Sequence, residues 1–157
     1  MPLNADDVVT GLYLVLSYRM EPGTFHWMLC STDTTSEETY LFHATQRPGW
    51  MYEYRLWDMV MSNTSVIAVK ISNYHDQVHL NTLLSTLPMT TPIEEGNVEF
   101  TCRIWVRAAI RLLNNRGIIR CTDIDGLQNE GIMLATRHAD NVGSGLVGGV
   151  YSSSFSV

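Results

Sequence analysis

The chain has 157 residues, 45% of them hydrophobic and 17% charged, the proportions of one ordinary globular domain and not of a disordered chain. Ten Lys and Arg stand against sixteen Asp and Glu, a formal net charge of −6. That balance argues against a nucleic-acid binder, which needs clustered cations to meet a phosphate backbone.

The first half reads as strands. Leu12–Tyr18 is rich in β-formers and is followed by the turn signal Pro22-Gly23. Phe25–Cys30 is a second strand, and the polar stretch 31–39 a hairpin loop. Tyr40–Ala44, Met51–Trp57 and the apolar Val66–Ile71 complete a set of about five strands, with Pro48-Gly49 closing a turn. Short polar connections predict antiparallel pairing. The second half reads as helices. His75–Leu87 is stopped by Pro88, and 90–97 is a loop. Phe100–Asn114 carries apolar residues at 102, 105, 106, 109, 110, 112 and 113 and ends before Gly117. A further helix is expected over Asp125–Arg137. Residues 1–142 therefore form a single α+β domain, an antiparallel sheet packed against two or three helices. The Gly- and Ser-rich stretch 143–157 reads as a loose tail whose deletion leaves the melting temperature nearly unchanged.

The densest cations, Arg103, Arg107 and Arg111, share an i, i+4 row, read as a solvated helix face, the alternative being a site for an anionic substrate. The N-terminal residues lack the basic and apolar regions of a signal peptide, and no run reaches the roughly 18 apolar residues of a membrane span. Three cysteines without a C-x-x-C motif suggest neither a disulfide framework nor a zinc site, so a reducing cytoplasm is the expected compartment.

Of those cysteines, Cys102 is best placed for nucleophilic chemistry. It lies at the start of the strongest helix, where the positive end of the dipole stabilises an anionic sulfur, and Arg103 adds a cation. Cys30 is in a strand, and Cys121 follows a helix C-terminus. His26 and His43 lie on adjacent strands in similar contexts, Phe-His-Trp and Phe-His-Ala, so one imidazole can serve as base and the other orient it. Convergence of the three predicts a Cys102 sulfur within about 4 Å of a His26 ring nitrogen. His75 and His79 are i, i+4 but lack a third ligand and the Glu of a metalloprotease motif, so an exposed face is expected and no metal. His138 has no assigned role.

Phe25-His26-Trp27-Met28-Leu29 followed by Tyr40-Leu41-Phe42-His43-Ala44, with Cys102 opening a helix several tens of residues later, resembles the lecithin:retinol acyltransferase-like branch of the circularly permuted papain-like (NlpC-type) superfamily. The resemblance covers about residues 10 to 115. It implies a permuted papain-like fold and a Cys102–His26–His43 site. The branch's Asn-Cys-Glu-His run is replaced here by Thr-Cys-Arg-Ile, and its C-terminal membrane anchor is not seen. A Cys-Arg-x-Trp-Val helix is also similar to that of small fungal proteins.

The leading expectation is a cysteine hydrolase or acyltransferase acting on an ester, thioester or amide. Trp27, Trp50, Tyr52 and Trp105, with Arg103, are the candidate substrate-binding residues, suited to an apolar small-molecule or acyl substrate. No cofactor is implied, and a homodimer is compatible with the sequence. A cyclase or isomerase without a covalent intermediate, and a binding module with a degenerate site, are the alternatives.

Overall fold

In the computed structural model, which describes residues 2–157, strand β1 (Gly11–Tyr18) is the centre of the architecture. It pairs antiparallel with β2 (Phe25–Asp33) on one side and with β5 (Ser65–Ser72) on the other. Strands β3 (Glu38–Gln46) and β4 (Trp50–Leu56) continue the antiparallel run beyond β2. Strand β6 (Gly149–Ser152) adds to β5 in parallel, giving the order β4-β3-β2-β1-β5-β6. The three helices are α1 (Gln77–Leu84), α2 (Cys102–Asn115) and α3 (Ile124–Gly143). The class is α+β, with six strands instead of about five.

Strand alternation sorts the side chains into two layers. Leu12, Leu14 and Leu16 of β1, with Phe25, Trp27 and Leu29 of β2, meet the helices. Tyr13 and Val15, with Met28, Cys30 and Leu41, face the other way and are covered by Leu3, Val8 and Met59. Both faces of β1 are thus buried, which is why its sequence is almost uniformly apolar.

Local chemistry sets the helix ends. Asp76 caps α1, accepting from His79 N at 3.1 Å, so this helix begins two residues later than the apolar pattern suggests. Thr101 caps α2, its side chain accepting from Ile104 N. Gly117, at φ +71°, closes α2 with a bond from Ile118 N to Leu113 O. Helix α3 runs well past Arg137, to Gly143. At the β2–β3 hairpin, 31–33 and 38–39 are strand residues, so the expected loop is only a short turn.

Two expectations are corrected. Arg103, Arg107 and Arg111 are not a solvated face. Arg107 and Arg111 converge on the buried Glu95 carboxylate at 2.5 and 2.7 Å, and Arg107 also reaches Asp125 at 2.7 Å. They fasten the segment before α2, and the start of α3, onto the helix. Nor is 143–157 a loose tail. Beyond β6, Ser156 Oγ donates to Ile71 O at 2.9 Å, and residues 120 and 157 exchange backbone hydrogen bonds. The ring of Phe155 lies so close to Gly126 of α3 that a Cβ there would meet it at 2.6 Å. A Cβ on Gly148 would sit 1.9 Å from Val66 O, so glycine is what lets this segment approach β5. The composition that suggested disorder serves close packing.

No helix is long and apolar enough to cross a membrane among the described residues.

Candidate active site

The site lies at one end of the sheet, where β2 starts and β3 ends. Pairing between β2 and β3 runs only from Asp33–Glu38 to Leu29–Phe42. Beyond it, His26 and His43 come together, His26 Nε2 to His43 Nδ1 at 2.6 Å, with the rings edge-on. His43 lies opposite Glu53 in the β3–β4 register, and its Nε2 meets Glu53 Oε1 at 2.8 Å. Arg55 Nε donates to the same carboxylate oxygen at 3.0 Å. At the other end of the row, Nη2 of Arg19, the residue after β1, is 3.3 Å from His26 Nδ1.

The proton positions in this row follow from its two ends. A carboxylate accepts and a guanidinium donates. His43 therefore donates from Nε2 to Glu53 and accepts at Nδ1. His26 donates from Nε2 to His43, which leaves its Nδ1 unprotonated, accepting from Arg19. The base-competent lone pair of His26 is thus aimed out of the row.

Cys102 is the first residue of α2 and is only 3% exposed. Arg19 Nη2 donates to its Sγ at 3.6 Å. One guanidinium nitrogen accordingly touches both the sulfur and His26 Nδ1. The sulfur and imidazole are no further apart than the sum of those two contacts, but no hydrogen bond joins them directly. The structure therefore brings Cys102, His26 and His43 to one place with Arg19 interposed in the expected dyad. The physical reason is alternation: His26 is out of phase with Phe25 and Trp27, which face the helices, whereas Cys102 comes from the helix layer. The two can meet only around the end of the sheet.

Burial, then the neighbouring His43 and Arg19, lowers His26 to about 4, so its imidazole is neutral at physiological pH. Burial also lowers His43, with the Glu53 hydrogen bond opposing. The His43 hydrogen bond holds the Glu53 carboxyl below its usual range. Among the other thiols, burial pushes both Cys30 and Cys121 upward. All three cysteines are free.

Two cavities flank the sulfur and share Arg19, Thr101 and Cys102 as a common wall. One, of about 380 Å³, has His26, Gln46, Arg47 and Trp50 around it. The other, of about 280 Å³, has Phe25, Trp27, Arg103 and Ile132. Trp27, Trp50 and Arg103 thus line these cavities, and Arg103 is held there by Gln128 Oε1 at 2.6 Å. Tyr52 and Trp105 line neither cavity. Trp105 is 0% exposed and belongs to the core, and the half-buried Tyr52 packs on its ring and donates its hydroxyl to Asn81 Oδ1 at 2.8 Å, so neither side chain is presented to these cavities.

Arg19, Arg47 and Glu53 were not among the residues singled out from the sequence. Glu53 had a readable signal, since Met51-Tyr-Glu-Tyr-Arg alternates and places Glu53 across from His43 once the hairpin at Pro48-Gly49 is closed. Arg19 had none, for it follows the end of a strand. His75 and His79 are exposed at the start of α1, paired with Asp33 and Tyr74 respectively. Among the described residues no group of three His, Cys, Asp or Glu could hold a metal ion. His138 bonds the Tyr151 hydroxyl of β6 at 2.6 Å, a structural link between α3 and the sheet edge.

Residues 9–131 match a protein family described as a family of unknown function (DUF6914), a span that holds Arg19, His26, His43, Arg47, Glu53 and Cys102. No curated protein and no solved structure matches the chain.

Proposed function

We propose that this chain, which belongs to the DUF6914 family of unknown function, is a cysteine-dependent hydrolase or acyltransferase acting on an ester, thioester or amide on a permuted papain-like scaffold. The observation that carries the reading is the row Glu53–His43–His26, whose one free lone pair is directed, across a single Arg19 nitrogen, towards a cysteine at a helix N-terminus.

In this reading Arg19 swings off the sulfur as substrate enters. His26 Nδ1 takes the thiol proton, and the sulfur attacks the carbonyl carbon. His43 holds the His26 ring and its tautomer, and Glu53 holds His43, the orienting role a third group plays beside a catalytic base. The amides of Cys102 and Arg103 precede the first backbone hydrogen bond of α2, made by Trp105 N to Thr101 O at 3.0 Å. They are free to donate to the oxyanion. His26 then protonates the leaving group, and water or another acceptor resolves the acyl-enzyme. A reducing, cytoplasmic setting suits three free thiols.

The low exposure of the sulfur and the interposed guanidinium favour a second reading, a site that binds or isomerises a small molecule with no covalent step. An activated octanoyl ester distinguishes the two. The expected result is release of octanoate and an octanoyl mass adduct on Cys102. Cys102→Ala should lose both, and His26→Gln should slow acylation by about 10²–10⁴-fold. Turnover that survives Cys102→Ala would refute the thiol reading.

A further inference from the structure

The two cavities beside Cys102 differ in what they offer. The larger brings Arg19 and Arg47 together with His26, Gln46 and Trp50, and no carboxylate lines it. This is unusual in a chain with a net charge of −6. Ion pairs among the described residues engage Arg55, Arg107, Arg111, His43 and His75, but neither Arg19 nor Arg47. Both residues are exposed, and Arg19 is held only by its single contacts to His26 and Cys102, so both guanidinium groups can meet a ligand. The smaller cavity is walled by Phe25, Trp27 and Ile132, and its one cation beside Arg19, Arg103, is already engaged by Gln128. Cys102 stands on the wall between the two. A substrate lying across that wall presents its scissile carbonyl to the sulfur, an apolar group on one side and an anionic group on the other.

Building on the thiol reading above, we infer that the substrate is an N-acyl amino acid: an amide whose acyl chain occupies the Phe25–Trp27–Ile132 cavity and whose carboxylate is held by Arg47 and Arg19. A guanidinium takes a carboxylate in a bidentate fork that an imidazole nitrogen or a sulfur cannot match. The arriving carboxylate therefore draws Arg19 away from Cys102 Sγ and His26 Nδ1, where it makes single contacts of 3.6 and 3.3 Å. Recognition of the anion and exposure of the nucleophile become one event. The thiol proton passes to His26 Nδ1 as the sulfur bonds to the carbonyl carbon. The C–N bond breaks, and the amino acid leaves carrying that proton. Water gives a proton to His26, its oxygen bonds to the thioester carbon, the C–S bond breaks, and the sulfur recovers a proton. The net change is amide plus water to carboxylic acid plus amino acid.

The test compares N-octanoylglycine with N-octanoylethanolamine, which lacks the carboxylate. The wild-type protein should hydrolyse the glycine conjugate with a kcat/KM about tenfold or more higher, and Arg47→Gln should collapse that ratio while Arg137→Gln, a charge removed elsewhere, keeps it. Calorimetric binding to the Cys102→Ala protein reads the subsite without chemistry. It should favour the glycine conjugate by a similar factor, and the preference should vanish when Arg47→Gln is added. Equal turnover of the two amides would overturn the anion subsite and leave the thiol reading standing. Preferential binding without turnover, and with no octanoyl adduct on Cys102 from the activated ester, would uphold the subsite and overturn the thiol reading. Absence of both binding and turnover would overturn the subsite, and the thiol reading with it if the activated ester also leaves Cys102 unmodified.

Discussion

Lowering the pH from 7 to 5 should weaken the fold by about 2 kcal/mol through His26 alone. Its folded-state value is about 4, against 6.5 for an ordinary imidazole. The full gap corresponds to roughly 3.4 kcal/mol at about 1.36 kcal/mol per pH unit. The sign follows from which state binds the proton first. As pH falls through 6.5 the unfolded chain takes up a proton that the native site still refuses, so stability is lost from there down to about 4. At pH 5 most of the unfolded-state protonation has occurred and little of the native. His43, also lowered, adds to the same slope, whereas Glu53 is held below the usual carboxylate range and enters only under more acid conditions. Urea unfolding of the wild type and of His26→Gln at pH 7, 6 and 5 measures the difference in slope. The same titration bears on catalysis, since the acid limb of kcat/KM should fall at about 4 if His26 is the base. Equal slopes in the two proteins, or an NMR midpoint for His26 near 6.5, would refute the desolvated row.

Two other outcomes concern the core and the sheet edge. Trp105→Ala should cost about 3–5 kcal/mol in a denaturant melt, because the side chain is fully buried. Trp105→Phe should cost distinctly less, since it removes an indole N–H that has no hydrogen-bond partner. Deleting 149–157 should lower the unfolding free energy by at least about 3 kcal/mol, from several ladder hydrogen bonds worth about 0.5–1.5 kcal/mol each and the lost packing of Phe155 on Gly126. A melting temperature unchanged by that deletion would contradict the strand assignment.

What was legible in the sequence followed from short-range signals. Alternation and turn residues located β1 to β5, and the apolar stripe and Gly117 located α2, because each is written within a few neighbouring residues. Strand β6 was not legible. It is four residues long, it opens with glycine, and its partner β5 lies on the far side of three helices in the sequence. Its glycines answer to backbone that composition cannot show, such as Val66 O beside Gly148. The site divided in the same way. His26, His43 and Cys102 stood out as reactive types on predicted elements. The arginine between them did not, because its place depends on where β1 ends in space. Tyr52 and Trp105 lie outside the two cavities beside Cys102, because aromatic identity alone does not say whether a ring faces a cavity or the interior.

The parallel pairing of β6 with β5 also bears on how the chain behaves before it is complete. Ser65–Ser72 is apolar through most of its length and buried through nearly all of it. Until β6 docks, one side of that strand is an open row of amides and carbonyls, available to any other extended chain. The segment that covers it is synthesised after everything else in the sheet. Nascent or clipped molecules therefore expose their most aggregation-prone edge while the rest of the sheet is already formed. Pairing by 149–152 then satisfies that row within the molecule and leaves a four-residue strand at the edge in place of the eight-residue β5.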